Sequence, residues 1–139
     1  MNTQKTFRIL IVEDNDLFNE LLTAQLKWFA GEVAYYKNVK LEIKSYLSVE
    51  QCLSEMKDEA DIAFVDYYLG NGKTAMDIIG KIKEQNLDCK IFILSQVKEV
   101  QDHVALLRAV DFLYKDNYSV PRICFITEEI LKEKIRTIN

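Results

Sequence analysis

Four apolar runs in this sequence each end on side chains capable of chemistry. Phe7-Arg8-Ile9-Leu10-Ile11-Val12 runs into Glu13-Asp14, Ile62-Ala63-Phe64-Val65 into Asp66, Ile91-Phe92-Ile93-Leu94 into Ser95, and Asp111-Phe112-Leu113-Tyr114 into Lys115. Gathered in one cleft, they supply three carboxylates, a hydroxyl and an ammonium. Two carboxylates about 5 Å apart at an effective dielectric near 20 repel by roughly 3 kcal/mol, so three of them need a compensating cation. One lysine cannot neutralise three acids. Carboxylates, waters and a phosphate oxygen together form the ligand set of Mg2+, a hard octahedral ion that seldom receives an all-protein cage. The chemistry expected of such a cleft is a divalent metal and a phosphate group handled together.

Whether these residues meet depends on the elements that carry them. The first run is short and rich in β-branched residues, which suits a central strand buried on both faces. From Asp16, residues Leu17, Phe18, Leu21, Leu22, Leu26 and Phe29 recur at helical spacing; Gly31 offers a stop, and residues 30 to 38 read as a loop or a helical extension. Val39, Leu41 and Ile43 alternate with Lys40, Glu42 and Lys44, the pattern of an edge strand with one wet side. Ser48 followed by Gln51 has the form of a capping box, and Val49, Cys52, Leu53 and Met56 give the second helix its apolar stripe. After the Gly70 and Gly72 loop, Ala75, Ile78, Ile79 and Ile82 mark a third helix, and Val97, Val100, Val104 and Leu107 a fourth. Ser119 and Pro121 open a last helix running toward Ile138.

Five strands alternating with five helices require right-handed crossovers and a mostly parallel sheet covered on both faces. The expected architecture is an α/β doubly wound fold with strand order 2-1-3-4-5, which leaves the polar second strand and the short fifth strand at the edges. It occupies the chain as one domain, with a core from about residue 7 to 138 and no internal repeat or linker. Ligands of such sheets bind beyond the carboxyl ends of the strands, where Glu13, Asp14, Asp66, Ser95 and Lys115 all stand.

In that combination the sequence resembles the receiver domain of two-component response regulators, a flavodoxin-like fold, from Phe7 to about Ile138. The resemblance identifies Glu13-Asp14 in ILIVEDND with the family's metal-binding pair and Asp66 in FVDYYLG with its phospho-acceptor. Ser95 in FILSQ matches the switch hydroxyl, and Lys115 in DFLYKD the phosphate-binding lysine. It implies transfer of a phosphoryl group from a histidine kinase or phosphotransfer protein to Asp66. Mg2+ would be held by Glu13, Asp14, Asp66 and the Tyr68 backbone carbonyl, and Lys115 would hold a phosphate oxygen. Ser95 would then move toward the phosphoryl group, with Phe112 at the aromatic switch position. A face made by helix four, strand five and helix five would alter its affinity for a downstream target or effector domain.

The sequence also departs from the family. Gln96 stands where a very small residue is usual, and its bulk would restrict access of phosphodonor or water. Gly70 replaces a proline in an acceptor loop about one residue longer. Lys115-Asp116 replaces Lys-Pro, and without proline a cis bond there costs about 2.5–4 kcal/mol. Each site residue has a bland counterpart: dipole-complementing acids for Glu13-Asp14, a turn residue for Asp66, a capping hydroxyl for Ser95, a surface charge for Lys115, core for Phe112. The alternative function is a pseudo-receiver that signals without phosphorylation, against which the five retained polar residues speak. A flavodoxin-like enzyme would want a phosphate-cradling loop after strand one, where this chain has Glu-Asp-Asn-Asp. Asp14 and Asp16 mimic the spacing of a haloacid-dehalogenase-type hydrolase, without the rest of that constellation. The chain is read as a signalling module rather than a metabolic enzyme.

Composition narrows the partners. The 139 residues are 49% hydrophobic and 29% charged, with only 4 Gly and 1 Pro, the balance of one globular domain. A net charge of −4 repels nucleic-acid backbones and anionic lipid. The polar start MNTQKTF carries no export signal, so the cytoplasm is the expected compartment. Cys52, Cys89 and Cys124 are odd in number and far apart, as buried small hydrophobes are, and the lone His103 joins no ligand constellation. Ile123, Ile126, Ile130, Leu131, Ile135 and Ile138 give the last helix a wide stripe with Phe125 opposite it, which points to a homodimer or target interface. The 24 residues after Lys115 suffice for that helix alone, so the chain is a single-domain regulator or a receiver cut from a longer protein.

Overall fold

The computed structural model describes residues 4–138 and the side chains of residues 4–136; Met1 to Thr3 of the polar start and the side chain of Ile138 lie outside the described residues. Alternation of strand and helix is complete: β1 Lys5–Val12, α1 Asp16–Tyr36, β2 Val39–Tyr46, α2 Val49–Glu55, β3 Ile62–Asp66, α3 Met76–Gln85, β4 Lys90–Ser95, α4 Glu99–Ala105, β5 Val110–Tyr114 and α5 Ser119–Ile138. The five strands form one parallel sheet in the order β2-β1-β3-β4-β5.

Period-two alternation divides the core between the two faces of the sheet. Phe7, Ile9 and Ile11 of β1, Ile62 and Phe64 of β3, and Phe92 and Leu94 of β4 pack with Leu22, Leu26 and Ala30 of α1 and Ile123 and Leu131 of α5. Leu10 and Val12, Ala63 and Val65, and Ile91 and Ile93 point the other way, onto Cys52 of α2, Ile78 and Ile82 of α3 and Val100 and Val104 of α4. The three cysteines are buried and free, and burial pushes the thiols of Cys52, Cys89 and Cys124 up to about 11, 12 and 11. They are core residues, as their spacing suggests.

Local signals place most of the ends. The Asn15 side chain accepts from the Phe18 N–H at 2.9 Å, and Ser48 Oγ from the Gln51 N–H at 3.0 Å. Gln51 Oε1 accepts from the Leu47 N–H at 2.9 Å, a reciprocal reach one residue before the cap. Gly31 does not end α1. The helix continues five residues further, because Ala34 is fully buried against the sheet and tertiary packing outweighs the ~1 kcal/mol cost of a helical glycine. Its stop is Asn38, at φ +56°. At the other end of α1, Leu17 and Leu21 of the expected stripe face solvent. α4 is shorter than its apolar spacing suggests, with Val97 exposed before it and Leu107 half-buried beyond it.

Candidate functional site

Strand register brings the polar residues to one level. Val12 lies opposite Val65, so Glu13 follows β1 beside Asp66, the last residue of β3; Asp66 pairs with Leu94, and Ser95 with Tyr114, the residue before Lys115. Beyond these ends lies an open cleft of about 700 Å3 lined by Glu13, Asp14, Asp66, Tyr68, Ser95 and Lys115. Six of the seven expected site residues therefore meet. Phe112, the seventh, is half-buried and packs on the core cluster beneath α3 and α4, away from the cleft lining.

Glu13 is the most enclosed acid, its side chain 4% exposed. Lys115 Nζ pairs with its Oε1, and the Asn15 N–H donates to its Oε2 at 3.1 Å. The same lysine stands 3.6 Å from Asp66 Oδ1 and 4.5 Å above the Phe18 ring. One ammonium thus serves two carboxylates and a ring face. Asp14 is exposed, and oxygens of Glu13, Asp14 and Asp66 all lie within 4.8 Å of one another.

One cation among three anions leaves a deficit that falls on Asp66. Burial, then the charge on Glu13, pushes its carboxyl from the usual 3.8 up to about 7, with Lys115 pulling down and Asp14 adding to the rise. Divalent metal fits this donor set. Three carboxylates gathered this closely, at a cleft with room for waters and a phosphate oxygen, are the hard oxygen donors that Mg2+ takes. Among the described residues, this is the one group of three or more His, Cys, Asp or Glu side chains close enough to share a metal.

The loops around the cleft have their own logic. Ser95 Oγ, buried, accepts from the Val97 N–H at 3.0 Å, and its carbonyl accepts from the Lys115 N–H at 2.9 Å. Gln96 joins the lining beside it. After Asp66 the chain makes a small bulge closed by a bridge between Tyr68 and Thr74, with Gly70, Asn71 and Gly72 all at positive φ. Proline cannot adopt the φ of +80° at Gly70, which accounts for the departure there. A Cβ on Gly70 would sit 3.8 Å from Asp14 Oδ2, so the loop lies against the acidic cluster. No cis peptide bond occurs among the described residues, so Lys115-Asp116 is trans.

Two residues at the site escape the sequence reading. Asn19 is buried in α1 and donates to the carbonyls of Glu13 and Tyr46 at 3.1 and 3.2 Å, while the Glu13 N–H donates to the Tyr46 carbonyl at 3.0 Å. It fixes the turn that presents Glu13 and Asp14. An amide on the helix face otherwise occupied by Leu22 and Leu26 was the available signal. Phe18, read as stripe, is the ring beneath Lys115.

No protein-family model and no curated protein sequence matches the chain. Solved structures do match in fold. The BeF3-activated receiver domain of DrrB aligns at TM-score 0.71 and 16% identity, over 91% of this chain and 98% of that one. The response regulator DrrB from Thermotoga maritima, described as an OmpR/PhoB homologue, aligns at 0.71 and 15%, over 93% of this chain and 54% of its own. TrrA from Thermotoga maritima, solved with Mg2+ and BeF, aligns at 0.59 and 22%, over 96% and 99%. The chain has the fold of response-regulator receiver domains. None of its described helices is long and apolar enough to cross a membrane.

Proposed function

We propose that this receiver fold works as a phospho-acceptor module of a two-component phosphorelay, taking a phosphoryl group onto Asp66 from the phosphohistidine of a kinase or phosphotransfer protein. The observation that carries the reading is the shared lysine: Lys115 reaches both Glu13 and Asp66 at the carboxyl rim of the sheet, beside a cleft open to a donor. Glu13, Asp14, Asp66 and the Tyr68 carbonyl would hold Mg2+, which supplies charge neutralisation around the transferring phosphoryl group and frees Asp66 to ionise. An oxygen of Asp66 forms the new bond to phosphorus as the phosphorus–nitrogen bond of the donor breaks and its imidazole keeps the electron pair. Lys115 then exchanges part of its contact with Glu13 for a phosphate oxygen. Ser95 gives up the Val97 N–H to reach another oxygen, displacing the segment before α4, and Phe112 repacks beneath it. The face of α4, β5 and α5 passes that change to a downstream target in the cytoplasm, with no metabolic turnover and no direct nucleic-acid contact.

Incubating the protein with acetyl phosphate and Mg2+ is expected to add the mass of one phosphoryl group in the parent and none in Asp66→Asn. An unchanged parent mass with metal present would favour the phosphorylation-independent module, consistent with Gln96 in the cleft lining. Metal binding should also be steeply pH-dependent. Because Asp66 must lose a proton that it holds up to about 7, the Mg2+ association constant is expected to fall toward about tenfold per pH unit below that point and level off above it. Calorimetric titration from about pH 5.5 to about pH 8 measures this; a flat profile would exclude Asp66 from the ligand set.

A further inference from the structure

Lys115 presents its ammonium to Glu13, to Asp66 and to the Phe18 ring, and these neighbours differ in what else they can bind. Glu13 and Asp66 are anions of the cluster that fits a divalent metal, so both are shared with the chemistry of the cleft. Phe18 is neutral, with Nζ 4.5 Å from its ring centroid. A ring face attracts a cation through its quadrupole, yet it has no lone pair for Mg2+. Neither a metal nor a phosphoryl group takes this contact away.

The ring is held from two sides. Phe18 lies in the first turn of α1, and its N–H donates to the Asn15 side chain at 2.9 Å, so the cap that starts the helix also fixes the backbone beneath the ring. The side chain is half-buried, packed against the core on the α1 and α5 face of the sheet while lining the cleft. Lys115 has no comparable anchor. Its backbone is tied to the Ser95 carbonyl at 2.9 Å, but the four-carbon stem beyond is flexible. With its side chain 17% exposed, the ammonium sits in the partly desolvated setting where a ring contact is strongest.

We propose that Phe18 is a positioning residue for Lys115: its ring face keeps the ammonium beside Asp66 when Glu13 turns to a metal ion, so that an incoming phosphate oxygen finds the cation in place. That oxygen rests on the phospho-acceptor reading above, whereas the holding of the lysine does not. Leucine at this position packs on the same core without a ring face, and tyrosine keeps the face.

Two readouts test it separately. In the first, the ε-methylene protons of Lys115, recognised by their loss in Lys115→Met, are followed by NMR with and without saturating Mg2+. They are expected upfield of those of the other lysines in the parent and in Phe18→Tyr, and to stay there when Mg2+ is added. In Phe18→Leu they should return to the ordinary lysine position. In the second, acetyl phosphate labelling at saturating Mg2+ is expected to slow about tenfold in Phe18→Leu and to recover in Phe18→Tyr. The Mg2+ association constant should not fall in either variant, since the ring is no ligand. Added to Lys115→Met, Phe18→Leu should slow labelling no further, because the ring acts through the lysine. Circular dichroism verifies the fold; should Phe18→Leu lose it, Phe18→Met fills the space without a ring face. Lys115 protons at the ordinary position in the Mg2+-loaded parent overturn the proposal. So does an undiminished effect of Phe18→Leu in the Lys115→Met background, or tyrosine no better than leucine. A parent that takes no label with Mg2+ present counts against the phospho-acceptor reading, and the NMR shift then decides the placement of the lysine by itself.

Discussion

Without divalent metal, Asp66→Asn is expected to be more stable than the parent at pH 7, by roughly 1–3 kcal/mol in denaturant unfolding. A carboxyl lifted from 3.8 to about 7 carries about 4 kcal/mol of unfavourable environment once ionised. Asparagine keeps the shape and removes the charge, at the loss of the attraction to Lys115, so part of that cost is recovered. The pH dependence has a definite sign. Between about pH 4 and about pH 7 the folded parent holds a proton on Asp66 that the unfolded chain has released, so its stability falls as pH rises and levels off above pH 7. The variant lacks this slope. Saturating Mg2+ inverts the order, since it binds the parent's carboxylates and stabilises the folded state by mass action. Equal stabilities in chelator, with parallel pH profiles, would mean that Asp66 is not the strained acid of the cleft.

The features that were legible in the sequence are those where burial writes a period into the chain. Strands buried on both faces become unbroken apolar runs, so β1, β3 and β4 and the polar residues at their ends could be read directly, and the lysines of β2 marked an edge. Strand order followed from the polar second strand and the short fifth strand, whose patterns suit the edges of a five-stranded sheet. Features that depend on contacts between distant residues left weaker traces. Asn19 works by clamping two carbonyls, one of them 27 residues away at Tyr46, and in the sequence it is one amide on a helix. Phe18 looks like its apolar neighbours because core and cation contact ask for the same side chain. The end of α1 was ambiguous because glycine is a local signal and the burial of Ala34 a tertiary one. The outward turn of Leu17 and Leu21 was hidden for a related reason: an apolar residue counts toward a helix whichever way it faces.

Lys115→Ala is expected to destabilise the metal-free protein by about 3–5 kcal/mol, the range for stranding a buried charge. The substitution leaves the Glu13 carboxylate, enclosed at 4% side-chain exposure, with the Asn15 N–H as its remaining donor, and takes from Asp66 the charge that holds its carboxyl down. The loss should be larger at pH 8 than at pH 5, since Asp66, which takes up its proton near 7, is charged at the higher pH and there misses the lysine. Removing both ends of the pair isolates the charge effect. Lys115→Met with Glu13→Gln takes away the ammonium and the carboxylate while preserving volume, so it should cost less than Lys115→Met alone. Were the double variant the less stable, the Glu13 carboxylate would be serving the Asn15 N–H rather than the lysine, while the stem over Phe18 is weighed by Lys115→Ala against Lys115→Met. Mg2+ supplies part of the same neutralisation and should recover a larger share of stability in Lys115→Ala than in the parent, while acetyl phosphate labelling stays low because the phosphate oxygen has lost its partner.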